Sequence, residues 1–199
     1  MLEHQKNLNM KNLKWVIIAL LFTTLSIKSI HAQCGSKKSN HKVHRTSYNS
    51  NAQTIVDIAL ASDVHTTLVA ALKAADLVSA LQADGPFTVF APTDNAFAKI
   101  DSKTLGSLLK PENKETLQKI LTYHVVPAKV DAQALVTAIK AGGGAYSIIT
   151  LSGNKLTAKI MNGEPVLEDE KGNFSVIRNT DLTAHNGIIH VIDTVVMPK

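Results

Sequence analysis

Eleven residues near the C-terminus, GIIHVIDTVVM from Gly187 to Met197, limit what this chain can fold into more than any other stretch. Successive side chains of an extended segment point to opposite faces. Ile188, His190, Ile192, Thr194 and Val196 then share one face, and Ile189, Val191, Asp193, Val195 and Met197 share the other. Both faces are mainly apolar, so the segment needs cover on two sides and belongs in the middle of a sheet. His190 is expected to be buried in a structural role with its ring paired, because an unpaired buried polar group costs about 1–3 kcal/mol.

The chain upstream can supply that cover. With 199 residues and 45% hydrophobic composition there is material for one ordinary domain, and the scarcity of aromatics makes its core aliphatic. From Thr54 the spacing of Ile55, Ile58 and Ala59, then Val64, Leu68 and Leu72, then Leu77, Val78 and Leu81 predicts two or three short helices. Thr54 is expected to cap the first and Asp63 the second, and Asp84-Gly85-Pro86 ends the series. Ser102, Pro111 and Asp131 mark three further helix starts. From Tyr146 the texture changes to short β-rich runs separated by SGN, NGE, EKGN and AHNG, a meander of turn-linked strands. No internal repeat is present, so the reading is α+β, helices first and sheet second.

GPFTVFAPTDNAF, Gly85 to Phe97, joins these two textures. Phe87 to Ala91 reads as a buried strand. Pro92 then fixes φ and offers no N–H, and Thr93 or Asp94 can accept from the open N–H groups of a helix starting near Asn95. A phosphate cradle at this corner would want glycines, and APTD has none. The corner is expected to be a helix cap.

The first 32 residues read as a secretory signal: Lys11 and Lys14, the apolar run WVIIALLFTTLSI, and a small-residue exit at Ala32. The apolar run is shorter than the ~18 residues of a membrane span. Loss of residues 1–32 removes four lysines and one glutamate and lowers the formal charge from +5 to +2. Residues 33–51 are polar and aperiodic and read as a flexible basic tether. Cys34, the only cysteine, follows His-Ala-Gln, which lacks the pattern of a lipid attachment site, and it is expected to stay unmodified.

Three segments agree with one family. GPFTVFAPTDNAF, LTYHVVP at Leu121 to Pro127, and NGIIHVIDTVVMP at Asn186 to Pro198 resemble, in order and spacing, the conserved boxes and the central Tyr-His motif of the fasciclin domain. The resemblance spans residues 52–199 and implies a β-wedge of two short sheets with small helices packed on it. It also implies extracellular adhesion rather than catalysis. In animal members the Tyr-His motif and an Asp-Ile pair are linked to integrin binding; here Tyr123 and His124 match the first, and Asp181 and Leu182 match the second with Leu in place of Ile.

Thr93, Asp94, Asn186, Gly187 and His190 are expected to serve the fold. The resemblance, together with the place of TYH at a helix-to-strand junction and of TDLTAHNG in a connection before the final strand, makes Tyr123, His124, Asp181 and Leu182 a candidate partner surface. Of Tyr123 and His124, neighbours in what reads as an extended segment, one is expected to face solvent. His41 and His44 stand in the tether, and His124, His185 and His190 show no ligand spacing, so no metal or other cofactor is expected. A G-x-S-x-G elbow is absent, and few aromatics are free to stack bases, which disfavours hydrolysis and nucleic-acid binding. The expected molecule is an exported, monomeric, non-catalytic module for a protein, cell-surface or matrix partner. Its alternative is a binding protein for a small or lipidic ligand held between helices and sheet.

Overall fold

The computed structural model describes residues 53–199. The expected signal (1–32), tether (33–51) and Cys34 lie outside the described residues. Among the described residues seven α-helices run in chain order: α1 (Ile55–Leu60), α2 (Thr66–Ala74), α3 (Val78–Gln82), α4 (Asp94–Phe97), α5 (Ser102–Leu108), α6 (Lys114–Tyr123) and α7 (Ala132–Ala141). The strands are β1 (Phe87–Pro92), β2 (Val125–Val126), β3 (Ala145–Ile149), β4 (Lys155–Met161), β5 (Glu164–Glu168), β6 (Phe174–Ala184) and β7 (Gly187–Ile192). A single 3₁₀ turn at Pro111–Asn113 leads into α6.

The strands hydrogen-bond in the order β2-β1-β7-β6-β5-β4-β3. β6 belongs to both ends of this order: Phe174 to Val176 pair with β5, and Ile177 to Ala184 pair with β7 across two register shifts. This long bent strand is the hinge of the wedge, for bulges increase twist and bend the strand that carries them. The order nearly closes into a barrel, because Leu151, just past β3, donates its N–H to Val125 O of β2 at 2.7 Å. β7 lies between β1, which runs parallel to it, and β6, which runs antiparallel. All six of its residues are buried, as two apolar faces require. The strand ends at Ile192, five residues short of Met197. Asp193 turns away, accepting from Val176 N and from the Arg178 guanidinium.

Each face of the β1–β7 pair has its own core. Val89, Ala91 and Ile189 join α1, α2 and α6 on the helix side. On the barrel side Phe90 and Ile192 meet Tyr123, Leu135 and Ile139 of the helices and Leu156 and Leu167 of the sheet.

The helix starts show where local sequence suffices. Thr54 caps α1 in a reciprocal box with Asp57, and Asp131 caps α7 by accepting from Ala134 N. Asp101 rather than Ser102 caps α5. Asp63 does not cap α2. His65 occupies that position with no capping bond of its own, and the acceptor comes from Asp94, whose carboxylate takes Thr67 N at 2.7 Å, Thr66 N at 3.3 Å and the Thr66 hydroxyl at 2.8 Å. Thr93 caps α4, accepting from Ala96 N, and Asp94 is that helix's first residue. The corner after β1 is therefore two caps, one local and one reaching back across the fold. Burial works to raise the Asp94 pKa, but the donors of Thr67 and Thr66 outweigh it and hold the carboxyl below its usual value.

Asn186 and Gly187 have equally definite structural work. Asn186 Oδ1 accepts from Ile55 N at 3.0 Å, while its Nδ2 donates to Leu81 O at 2.7 Å and Ala83 O at 2.9 Å. One buried amide thus ties the start of α1 and the end of α3 to the β6–β7 turn. A Cβ on Gly187 would lie 2.1 Å from Phe87 O, so only glycine lets β1 and β7 approach here.

Candidate functional site

The residues expected to form a partner surface divide into two pairs with different environments. Tyr123 ends α6 and His124 is its C-cap, so the pair is helical rather than extended. Neither faces solvent: Tyr123 is 0% exposed and His124 3%. The Tyr123 hydroxyl donates to Lys155 O at 2.7 Å, and burial pushes its pKa up to about 12. His124 Nδ1 lies 2.8 Å from Ile120 O, which can only accept, so Nδ1 carries the proton and Nε2 accepts from Val196 N at 3.2 Å. Burial lowers its pKa to about 4 against the opposing pull of the Ile120 carbonyl. A neutral ring satisfies both partners.

His190 repeats this arrangement in β7. It is 0% exposed and stacks on Phe90, ring centroids 5.7 Å apart. Its Nε2 lies 2.8 Å from Val130 O and therefore donates, which leaves Nδ1 to accept from Asp181 N at 3.4 Å. Thr88 of β1, also 0% exposed, donates to Ala128 O at 2.6 Å and accepts from Val130 N at 2.8 Å. Two buried polar side chains thus hold the segment before α7 against the sheet, and one of them also holds the β6 bulge.

Asp181 and Leu182 sit in that bulge, inside β6 and not in a connection before the last strand. Both are exposed. Asp181 has φ of 61°, a left-handed conformation uncommon for residues other than glycine. Its Oδ1 accepts from Ala132 N at 2.9 Å, so the carboxylate assists Asp131 at the start of α7. Leu182 pairs in register with Ile189 and turns to the helix side, where with His124 it lines a cavity of about 50 Å³.

Two contributors were not singled out in the sequence. Thr88 was detectable as the lone hydroxyl inside a buried apolar strand. His65, which also lines the cavity, carries no such signal, since it reads as a first-turn residue of the helix expected after Asp63.

A near-closed seven-stranded sheet with a helical layer over one face, and buried polar side chains tying loops to strands, defines a small α+β module. The chain belongs to the fasciclin domain family, whose model matches residues 63–198. It is 49% identical to Protein sll1483 of Synechocystis sp. over 74% of this chain and 75% of that protein. It is 34% identical to the transforming growth factor-beta-induced protein ig-h3 of Sus scrofa over 75% of this chain and 20% of that much longer protein. Among solved structures, a FAS1 domain pair from the insect cell adhesion molecule fasciclin I matches with a TM-score of 0.65 at 19% identity, over 72% of this chain and 50% of that one. The family occurs often in adhesion and extracellular proteins. Among the described residues no helix is long and apolar enough to cross a membrane.

Proposed function

We propose that this is a non-catalytic interaction module of an exported protein, secreted, periplasmic or held at the cell surface, and that it recognises a protein or matrix component through the β6 bulge. The observation that carries the reading is Asp181: an exposed, non-glycine residue kept at φ of 61° in mid-strand by bonds to His190 and Ala132. Strain of this kind costs about 1–3 kcal/mol and persists where the surroundings over-determine it, often at sites of recognition. Leu182 supplies an exposed apolar contact beside it. Tyr123 and His124 act from beneath, as buried supports. In this arrangement Asp181→Asn, which keeps the acceptor for Ala132 N and removes the charge, and Leu182→Ala each weaken binding about tenfold, with little change in Tm. Affinity capture from native surface extract, followed by titration of the captured component, measures this. Normal binding by both variants at full stability overturns the proposal.

The cavity between α1, α2 and the sheet favours a second reading, a binding protein for a small ligand held between helices and sheet.

A further inference from the structure

The chain holds two Asn-Gly pairs, Asn162-Gly163 and Asn186-Gly187, and the fold treats them in opposite ways. An asparagine followed by glycine is the pair most open to ring closure, because a residue without Cβ leaves its backbone nitrogen free to approach the preceding carboxamide. Asn162 and Gly163 are the two loop residues between β4 and β5, with Met161 and Glu164 paired in register on either side. Their φ angles of 53° and 83° are those of the type I′ turn that Asn-Gly favours. In such a turn the ladder bonds run between the flanking residues, so the Gly163 N–H is not committed to the sheet. Met161, Asn162, Gly163 and Glu164 are all exposed, and the space beside the Gly163 Cα is open.

Asn186-Gly187 is the internal control. The Asn186 carboxamide is held by Ile55 N, Leu81 O and Ala83 O. Gly187 stands inside the ladder, in register with Ala184 on one side and Phe87 on the other, and a Cβ there would lie 2.1 Å from Phe87 O. Ring closure requires the Asn-Gly unit to leave its native backbone conformation for a moment. A hairpin tip does so by local fraying, whereas a position inside the ladder opens only when the sheet does.

We infer that Asn162 is a modification site, at which the exposed hairpin tip deamidates spontaneously with water as its only co-reactant. The Gly163 nitrogen attacks the Asn162 Cγ and forms a C–N bond, and the carboxamide nitrogen leaves as ammonia with the proton of the Gly163 N–H. Water then adds to one carbonyl of the succinimide and breaks its bond to the ring nitrogen. That step returns a hydrogen to the Gly163 nitrogen and leaves a carboxylate and a released proton. Opening at the side-chain carbonyl gives an aspartate at position 162. Opening at the main-chain carbonyl gives an isoaspartate, whose peptide link runs through the side-chain carbons. Both products add a negative charge beside Glu164. The isoaspartate also adds one carbon to the main chain of a two-residue loop, which breaks the register of Met161 with Glu164 and draws Glu164 away from Arg178, its ion-pair partner at 3.3 Å.

The test incubates the full chain at mildly alkaline pH in oxygen-18 water and follows the peptides carrying Asn162 and Asn186 by mass spectrometry. In the folded protein one heavy oxygen should enter at position 162 at least about ten times faster than at position 186, and in denaturant the two sites should label at similar rates. Asn162→Gln lengthens the side chain by one carbon, so that closure would need a six-membered ring, and this variant should stay unlabelled at position 162. Hydrogen exchange at Met161 and Glu164 should quicken in the isoaspartate fraction and stay slow in Asn162→Asp, which carries the charge without the extra carbon. Equal labelling of the two sites in the folded protein, or none at position 162, overturns the assignment. An isoaspartate fraction with unchanged exchange at Met161 and Glu164 overturns the loss of register.

Discussion

On the barrel side of β1 and β7, Phe90 and Ile192 meet Tyr123, Leu156 and Leu167, all but fully enclosed, and the buried hydroxyls and rings of Tyr123, Thr88 and His190 each find a partner. On the helix side, Val89, Ala91 and Ile189 meet short helices around a void of about 50 Å³. The contrast follows from how each layer is positioned. Strand registers on the barrel side are set by ladders of backbone hydrogen bonds. The helices opposite are four to ten residues long, too short to be stable alone. Their placement depends on remote side chains, Asp94 for α2 and Asn186 for α1 and α3. One layer is over-determined and the other is held at a few points, which is where space for a ligand can survive.

The most forceful way to challenge this comparison is to empty the packed side. Tyr123→Ala should cost about 3–5 kcal/mol, because it removes a fully buried aromatic and leaves Lys155 O without its donor. Denaturant titration measures the loss. A cost below about 1 kcal/mol would mean that the barrel-side core relaxes as readily as the other.

Acid separates the sides by a different route. His124 lines the helix-side cavity, and burial lowers its pKa from 6.5 to about 4. The unfolded chain binds a proton at 6.5 that the folded chain refuses until about 4. Stability from the neutral ring is therefore complete above pH 6.5 and is lost as pH falls through that window, by about 3 kcal/mol in all. His65, lowered mainly by burial against the pull of Asp94 and Ala91, acts in the same direction. Unfolding free energies from pH 7 to pH 4 should fall accordingly, and His124→Gln should flatten the slope. An unchanged slope in that variant would remove His124 as the cause.

How far the sequence reached follows the same division. β7 and β4 were legible because alternation and turn residues are local, and the run KLTAKIM coincides with β4 from Lys155 to Met161. Burial of His190 followed from two apolar faces. What escaped was action at a distance. Nothing near Thr66 says that Asp94 will cap it from 28 residues away. Nothing in TDLTAH says that a polar run will enter a strand, because its polar side chains are accommodated by a bulge and by the start of α7 rather than by a turn. Tyr123 and His124 read as a possible surface pair because their partners, Lys155 O and Val196 N, come from segments 32 and 72 residues off.

The smallest expected effect is also the sharpest, since it asks the two sides to answer one substitution with opposite signs. Ala158 of β4, 1% exposed, lies in the barrel-side core, and Ala59 of α1, 7% exposed, lines the helix-side cavity. Two added methyl groups at position 158 have no free space and must displace neighbours fixed by strand register, so Ala158→Val should destabilise by about 1–3 kcal/mol. The same two methyl groups at position 59 enter an existing void and recover contacts that its walls lack. Ala59→Val should stabilise the domain by roughly 0.5–2 kcal/mol, less the small helix-propensity cost of a β-branched residue. Paired thermal and denaturant melts decide the matter, with xenon uptake as the control: the stabilised Ala59→Val protein should lose it, and the Ala158→Val protein should keep it. Destabilisation at both positions would show that the cavity closes in solution, and with it would go the distinction between a packed layer and an adaptable one.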